Sequence, residues 1–356
     1  MRGEGRRDEV DALVERAAES FETEEFEAAL ARAEEALARE PRTVPALHYR
    51  AASLAALGRV EEAAAAYDRA LALGRDDLDL LLGAADFFAG VDGGDEPDRE
   101  PLERAIELSR RGAKLAGKAG DRELAVEFGT LEAVALNQLG RNAEALARLD
   151  PIAASAPDRA DVRLERGFAL YELCRFDDAQ EELVRAEALD PDDAWTQHTL
   201  GLVAERRGDR DEARRRFGRA RKLAPDEFPR PIALPHDAFD EAVEAALEEL
   251  PESVRRYLSN VAITVEELPS NDDLLASEPP LSPSILGLFR GAPYGQKASM
   301  DPWSHFPSAI VLYQRNLERF ARSRKELVEQ IGITLIHEVG HFLGLDEEEL
   351  WARGLD

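Results

Sequence analysis

The residues of this sequence best suited to chemistry are His337-Glu338-Val339-Gly340-His341, two histidines four positions apart with a glutamate after the first. On a helix, residues at that spacing lie one above the other on one face, so both imidazoles can grip one zinc ion. Glu338 then sits one step round, close to the metal's open coordination position. There it can take a proton from water and pass it to a leaving amine. Zinc lowers the pKa of its water to about 7, so a nucleophile is available at neutral pH. The competing reading is an ordinary helix with two exposed histidines. The apolar residues upstream, Leu327, Val328, Ile331, Leu335 and Ile336, argue against it by setting the histidines on a core helix.

A catalytic zinc needs a third protein ligand. No histidine follows His341, so that ligand is acidic or comes from upstream. The chain continues Phe342-Leu343-Gly344-Leu345-Asp346-Glu347. This resembles the extended metzincin-type motif HExxHxxGxx(H/D), in which a glycine turns the chain and the third residue after it binds the metal. In that register Gly344 is the turn and Glu347 is the expected ligand. Asp346 is its close competitor, Glu348 and Glu349 follow, and His305 and His236 are lesser candidates. A solvated acidic tail is the alternative reading of the same run.

Several elements must position this constellation. Lys325 to Phe342 reads as a long helix that stops at Gly344, a natural left-handed C-terminal residue. Asp240 to Leu250 reads as an amphipathic helix, with a possible continuation over Val254 to Asn260. Val261 to Val265, Ile285 to Phe289 and Ser308 to Tyr313 read as strands, separated by polar loops over Asn271 to Pro283 and Gly291 to Trp303. The strand ending at Tyr313 is a candidate for pairing with an extended substrate, or else an ordinary sheet member.

Phe239, Leu250-Pro251, Asn260-Val261, Val265, Gly287 to Gly291, Ile310, Leu312-Tyr313 and the stretch from Thr334 to Gly344 together resemble the minimal zincin-like metallopeptidase family of bacteria, over most of residues 237–356. The resemblance implies a small α+β domain with the HExxH helix beneath a short sheet, and a zinc-dependent peptidase or peptidase-like protein. Two features depart from metzincins. Neither methionine, Met1 or Met300, follows Glu347, so a methionine turn is missing. The usual downstream Tyr or His that steadies the oxyanion is missing too, and Tyr313 is a substitute candidate, with a packing role as the plainer reading.

The rest of the chain repeats. Ala29 and Ala63, and later Ala145, Ala179 and Ala213, are spaced by 34 within each run, as are Pro157, Pro191 and Pro225. Gly58, Gly140 and Gly208 keep the same register. The pattern resembles the tetratricopeptide repeat, a pair of antiparallel helices in which small residues allow close crossing and proline ends the second helix. Repeats are expected near 10–43, 44–77, 78–125, 126–159, 160–193 and 194–227. The third carries a polar loop around Gly90 to Pro101, and the first lacks the turn glycine. Arg206 and Arg214 to Arg216 are expected to form solvated ion pairs or to face a ligand.

The fold expected is therefore mainly α: a tetratricopeptide-repeat α-solenoid over 1–227, a proline-rich linker over 228–235, and a small α+β zincin-like domain over 236–356. A net charge of −28 argues against nucleic acid and anionic membrane surfaces. One cysteine, Cys174, excludes an internal disulfide, and neither a signal peptide nor an apolar run long enough to span a bilayer is present, so a reducing cytoplasm is expected. The expected activity is a zinc-dependent metallopeptidase, with a protein or peptide partner in the repeat groove. The alternative is a non-catalytic adaptor with a structural or vestigial metal site.

Overall fold

The computed structural model describes residues 2–91, 99–258, 261–291, 308–345 and Glu349, and it divides into two compact units, Met1–Ala169 and Leu170–Asp356.

Unit one is helical. Its elements are α1 (Arg2–Glu22), α2 (Phe26–Arg39), α3 (Val44–Ala56), α4 (Val60–Leu73), α5 (Leu78–Ala89), α6 (Arg99–Ala119), α7 (Arg122–Gln138), α8 (Asn142–Ser155) and most of α9 (Ala160–Glu172). The helix pairs fall where the 34-residue period puts them, because small residues occupy the crossings. Ala29, Ala33, Ala36, Ala63, Ala70 and Ala145 are all fully buried, and a larger side chain at any of them would force neighbouring helices apart. The turn inside a pair needs a left-handed residue. Gly58 and Gly140 supply it at φ 70°, and Glu24 takes the same conformation at φ 59° although it is no glycine. The expected loop of the third pair is shorter than the sequence implies. Residues 92–98 lie outside the described ones, but Arg99, Glu100 and Pro101 already belong to the first turn of α6. Proline is tolerated there because its missing N–H would have had no helical partner.

Unit two begins with the end of α9 and continues through α10 (Phe176–Leu189), α11 (Ala194–Arg206) and α12 (Arg210–Leu223). Cys174 holds the turn position at φ 58° and Gly208 holds it at φ 78°. Gly201 is required where it stands, since a Cβ there would meet the Phe217 ring at 2.7 Å. The expected ion pairs are present: Arg214 with Asp211, Arg215 with Glu212, and Arg216 with Glu187 and Glu212. Arg206 does something else. It donates to the Pro269 carbonyl at 2.5 Å and to Asn271 Oδ1 at 2.8 Å, joining the end of α11 to the following fold. Glu205 beside it takes Arg315 at 3.3 Å and Arg319 at 2.5 Å. The proline-rich stretch is pinned as well: the Leu234 N–H donates to Glu318 and the Leu234 carbonyl accepts from Gln314.

The rest of unit two comprises α13 (His236–Glu249), α14 (Glu252–Leu258), β1 (Ala262–Glu266), α15 (Asn271–Leu274), β2 (Gly287–Arg290), β3 (Ala309–Tyr313), α16 (Gln314–Phe320) and α17 (Arg324–Leu343). The short helices α15 and α16 carry no strong period, and α15 lies within the stretch Asn271 to Pro283 expected as a loop. The sheet order is β1-β3-β2, with β1 parallel and β2 antiparallel to β3. Ile310 and Leu312 of β3 pack with Phe239 of α13 and with Leu327, Ile331 and Leu335 of α17 in one apolar core. The strand expected to accept a substrate, β3, is the central one. Both its edges are already hydrogen-bonded, so β3 cannot add a further strand.

Candidate metal centre

Helix α17 begins with a side-chain cap: Ser323 Oγ accepts from the Glu326 N–H, while Glu326 reaches back to the Arg322 N–H at 2.8 Å. Leu327, Ile331 and Leu335 then bury one face. The helix ends in a Schellman turn. Gly344 is left-handed at φ 89°, its N–H donates to the His341 carbonyl, and the Leu345 N–H donates to the Gly340 carbonyl at 3.1 Å.

That turn orients a histidine. His341 Nδ1 lies 3.2 Å from the Leu345 carbonyl oxygen, which can only accept, so a hydrogen bond there takes the Nδ1 proton and leaves the Nε2 lone pair free. His341 Nε2 faces His337 Nε2 at 3.1 Å, with the two rings inclined at 82°. A tetrahedral zinc with Zn–N bonds of about 2.0–2.1 Å holds two nitrogens about 3.3 Å apart. The separation of the two ring nitrogens is within about 0.2 Å of that spacing. Glu338 between them is 5% exposed and faces the start of β2. A Cβ on Gly287 would lie 2.6 Å from Thr334 Cγ2 and 3.3 Å from Glu338 Cγ. Further along, the Phe289 and Phe342 rings pack at 5.5 Å. Strand β2, whose other edge has no strand partner among the described residues, thus runs alongside the histidine turn.

The other sequence candidates fall out differently. Glu347, Asp346, Glu348 and His305 lie outside the described residues, and among the described ones no third His, Cys, Asp or Glu joins His337 and His341. Glu349 is exposed. His236 starts α13 in solvent, 3.7 Å from Asp240. Tyr313 is fully buried, and it does not face the motif. Side chains alternate along a strand, so Leu312 points to α17 and Tyr313 points to the opposite face. Its hydroxyl environment is Asp273, Arg290 and Glu266, and burial first, then Asp273, pushes its pKa well above the usual phenol value. Arg290 forms a double ion pair there, with Glu266 at 2.7 Å and Asp273 at 2.5 Å, clamping the end of β2 to β1 and α15. Nothing in the spacing of these residues announced that clamp. The Leu345 carbonyl was equally invisible, because every residue carries one.

A family model described as zincin-like metallopeptidase matches residues 258–355, and two described as tetratricopeptide repeat match residues 15–77 and 136–196. The chain carries tetratricopeptide repeats and a zincin-like metallopeptidase domain. The repeats also place it among solved structures. It is 17% identical to Pseudomonas aeruginosa pilF at a TM-score of 0.50, over 62% of this chain and 95% of that one. It is 15% identical to PilW, a type IV pilus biogenesis factor, at a TM-score of 0.51, over 61% and 94%. It is 14% identical to a chain of the APC/C Cut9–Hcn1 hetero-tetramer at 0.50, over 62% and 41%. At these identities the likeness is one of fold. No curated protein sequence matches the chain.

Proposed function

We propose that the zincin-like domain is a zinc-dependent peptidase and that the repeats recruit its protein substrate or a regulator. The observation that carries this reading is the His337–His341 pair, with nitrogens 3.1 Å apart beside a buried Glu338. His337 and His341 would hold the metal, with Glu347 as the proposed third ligand and Asp346 its competitor. Zinc, when bound, supplies Lewis acidity and water of lowered pKa. Glu338 accepts a proton from water and returns it to the leaving amine. Its burial against β2 holds the carboxylate in one place beside the histidine pair. An extended peptide would lie along the edge of β2 that has no strand partner among the described residues.

The division of labour we propose is recruitment by residues 1–227 and catalysis by 236–356, joined through 228–235, in the cytoplasm. No helix among the described residues is long and apolar enough to cross a membrane. The test is zinc content together with cleavage of a peptide library, for the native chain and Glu338→Gln. Retained zinc with lost cleavage supports the enzyme. Equal behaviour of the two proteins supports the adaptor alternative.

A further inference from the structure

Away from the histidine pair, one buried side chain ties α16 to the entrance of β2. Asn316 stands near the start of α16, three residues after β3 ends, and is 4% exposed. Its Nδ2 donates to the Ile285 carbonyl at 2.8 Å and to the Pro283 carbonyl at 3.0 Å, while its Oδ1 accepts from Arg319 Nη1 at 3.2 Å. The amide stands only this way round, because carbonyls only accept and a guanidinium only donates. The next carbonyl, that of Leu286, accepts from the Tyr313 N–H at 2.9 Å. The segment that enters β2 is therefore fixed from the end of β3 and the start of α16. Gly287 follows directly, with its backbone against Thr334 and Glu338 of α17.

The other end of these contacts lies in the last repeat, α11 and α12. Arg319 Nη2 donates to Glu205 Oε2 at 2.5 Å, and the Arg319 guanidinium lies 5.4 Å from the centre of the Phe217 ring. Glu205 stands in the last turn of α11, and its side chain is only 10% exposed. A carboxylate so enclosed depends on its guanidinium partners, Arg315 and Arg319. In return it holds a long side chain in one rotamer. With Nη2 on Glu205, Nη1 of Arg319 is aimed at Asn316. An unbroken hydrogen-bonded series thus runs from Glu205 through Arg319 and Asn316 to the Ile285 carbonyl, two residues before Gly287 and its contact with Glu338. Such networks, when fully satisfied, make a site rigid.

We infer that Asn316 is a positioning residue for Glu338, acting through the entrance to β2, and that Glu205 of the last repeat sets it through Arg319. The last repeat is then a support of the metal centre as well as part of the repeat array. The role of Glu338 as the proton carrier rests on the peptidase reading above, whereas the series of contacts that leads to it does not.

The test uses the full chain as native protein, Asn316→Ala, Glu205→Gln and the double variant, with Gly58→Ala as a control for stability lost elsewhere. The readouts are amide hydrogen exchange over residues 284–290 by mass spectrometry, zinc content, and kcat and KM for a peptide that the native chain cleaves. Asn316→Ala should speed exchange over 284–290 about tenfold and lower kcat about tenfold, with KM within about twofold and zinc retained. Glu205→Gln should do the same by about threefold. The double variant should match Asn316→Ala alone, since the two residues act in series. Gly58→Ala should leave exchange over 284–290 at the native rate. Should Asn316→Ala fail to fold, Glu205→Gln decides, because glutamine keeps the shape and one acceptor. Native exchange over 284–290 in Glu205→Gln, additive effects in the double variant, or a kcat that falls only in proportion to lost zinc overturns the inference. If the native chain cleaves no peptide, the peptidase reading falls, while faster exchange in both single variants still upholds the series from Glu205 to β2 and unchanged exchange overturns it. Cleavage with native kcat in both variants leaves the peptidase reading standing and overturns the inference.

Discussion

His341 Nδ1 faces the carbonyl oxygen of Leu345 at 3.2 Å, a contact made four residues downstream and just outside the helix that carries His341. A continuing helix would have pointed that carbonyl along its axis. The left-handed Gly344, φ 89°, folds it back onto the imidazole instead, so the residue that ends the helix also selects the tautomer.

Gly344→Ala should therefore do two things. It should destabilise the chain by roughly 1 kcal/mol, the usual cost of a side chain at positive φ. It should also weaken zinc binding by about 10- to 100-fold, as loss of an outer hydrogen bond to a metal-binding histidine does. Chelator competition reads the second effect, and unchanged zinc affinity would show that the carbonyl does not orient the ring.

Gly287→Val probes the seam between β2 and α17. The added Cβ would start 2.6 Å from Thr334 Cγ2 and 3.3 Å from Glu338 Cγ. Overpacking of this kind costs about 1–3 kcal/mol. Thr334 must move first, and Glu338 is crowded by the same Cβ, so kcat of any peptidase activity should fall further than the melting temperature implies, while zinc content persists. A variant that melts lower yet turns over normally would uncouple β2 from Glu338.

The turn positions can be set against one another. Glu24→Gly relieves a left-handed non-glycine residue, whereas Gly58→Ala creates one at the equivalent place, with φ values of 59° and 70°. Glu24→Gly should raise stability and Gly58→Ala should lower it, each by roughly 1 kcal/mol, in urea titrations at fixed m-value. Equal signs would mean that the repeat backbone does not impose the conformation.

Acid should loosen the packing around His198 in unit two. Burial, and then the neighbouring Arg319, push the His198 pKa down from 6.5 to about 4. Between those values the unfolded chain binds the proton and the folded one does not, so stability rises with pH across this window and falls on acidification. After allowance for the partial exposure of His198, the loss from pH 7 to pH 4 should be on the order of 2 kcal/mol. His198→Phe should flatten that part of the urea-denaturation profile, and an unchanged slope would remove His198 as its cause.

Much of this molecule is written locally along the chain. Helix pairs recur every 34 residues because alanine at each crossing and a left-handed turn residue between helices are conditions that neighbouring residues satisfy by themselves. For the same reason the course of α17, its stop at Gly344 and the stacking of His337 over His341 follow from the helical period alone. Strand partnership does not. Ser308 to Tyr313 has the same alternation whether it lies at an edge or in the centre. Only long-range pairing with β1 and β2 made β3 central, turned Tyr313 away from the motif and brought Gly287 of β2 against Glu338. The Arg290 clamp likewise joins residues far apart in sequence, through contacts that depend on which surfaces meet after folding rather than on any spacing along the chain.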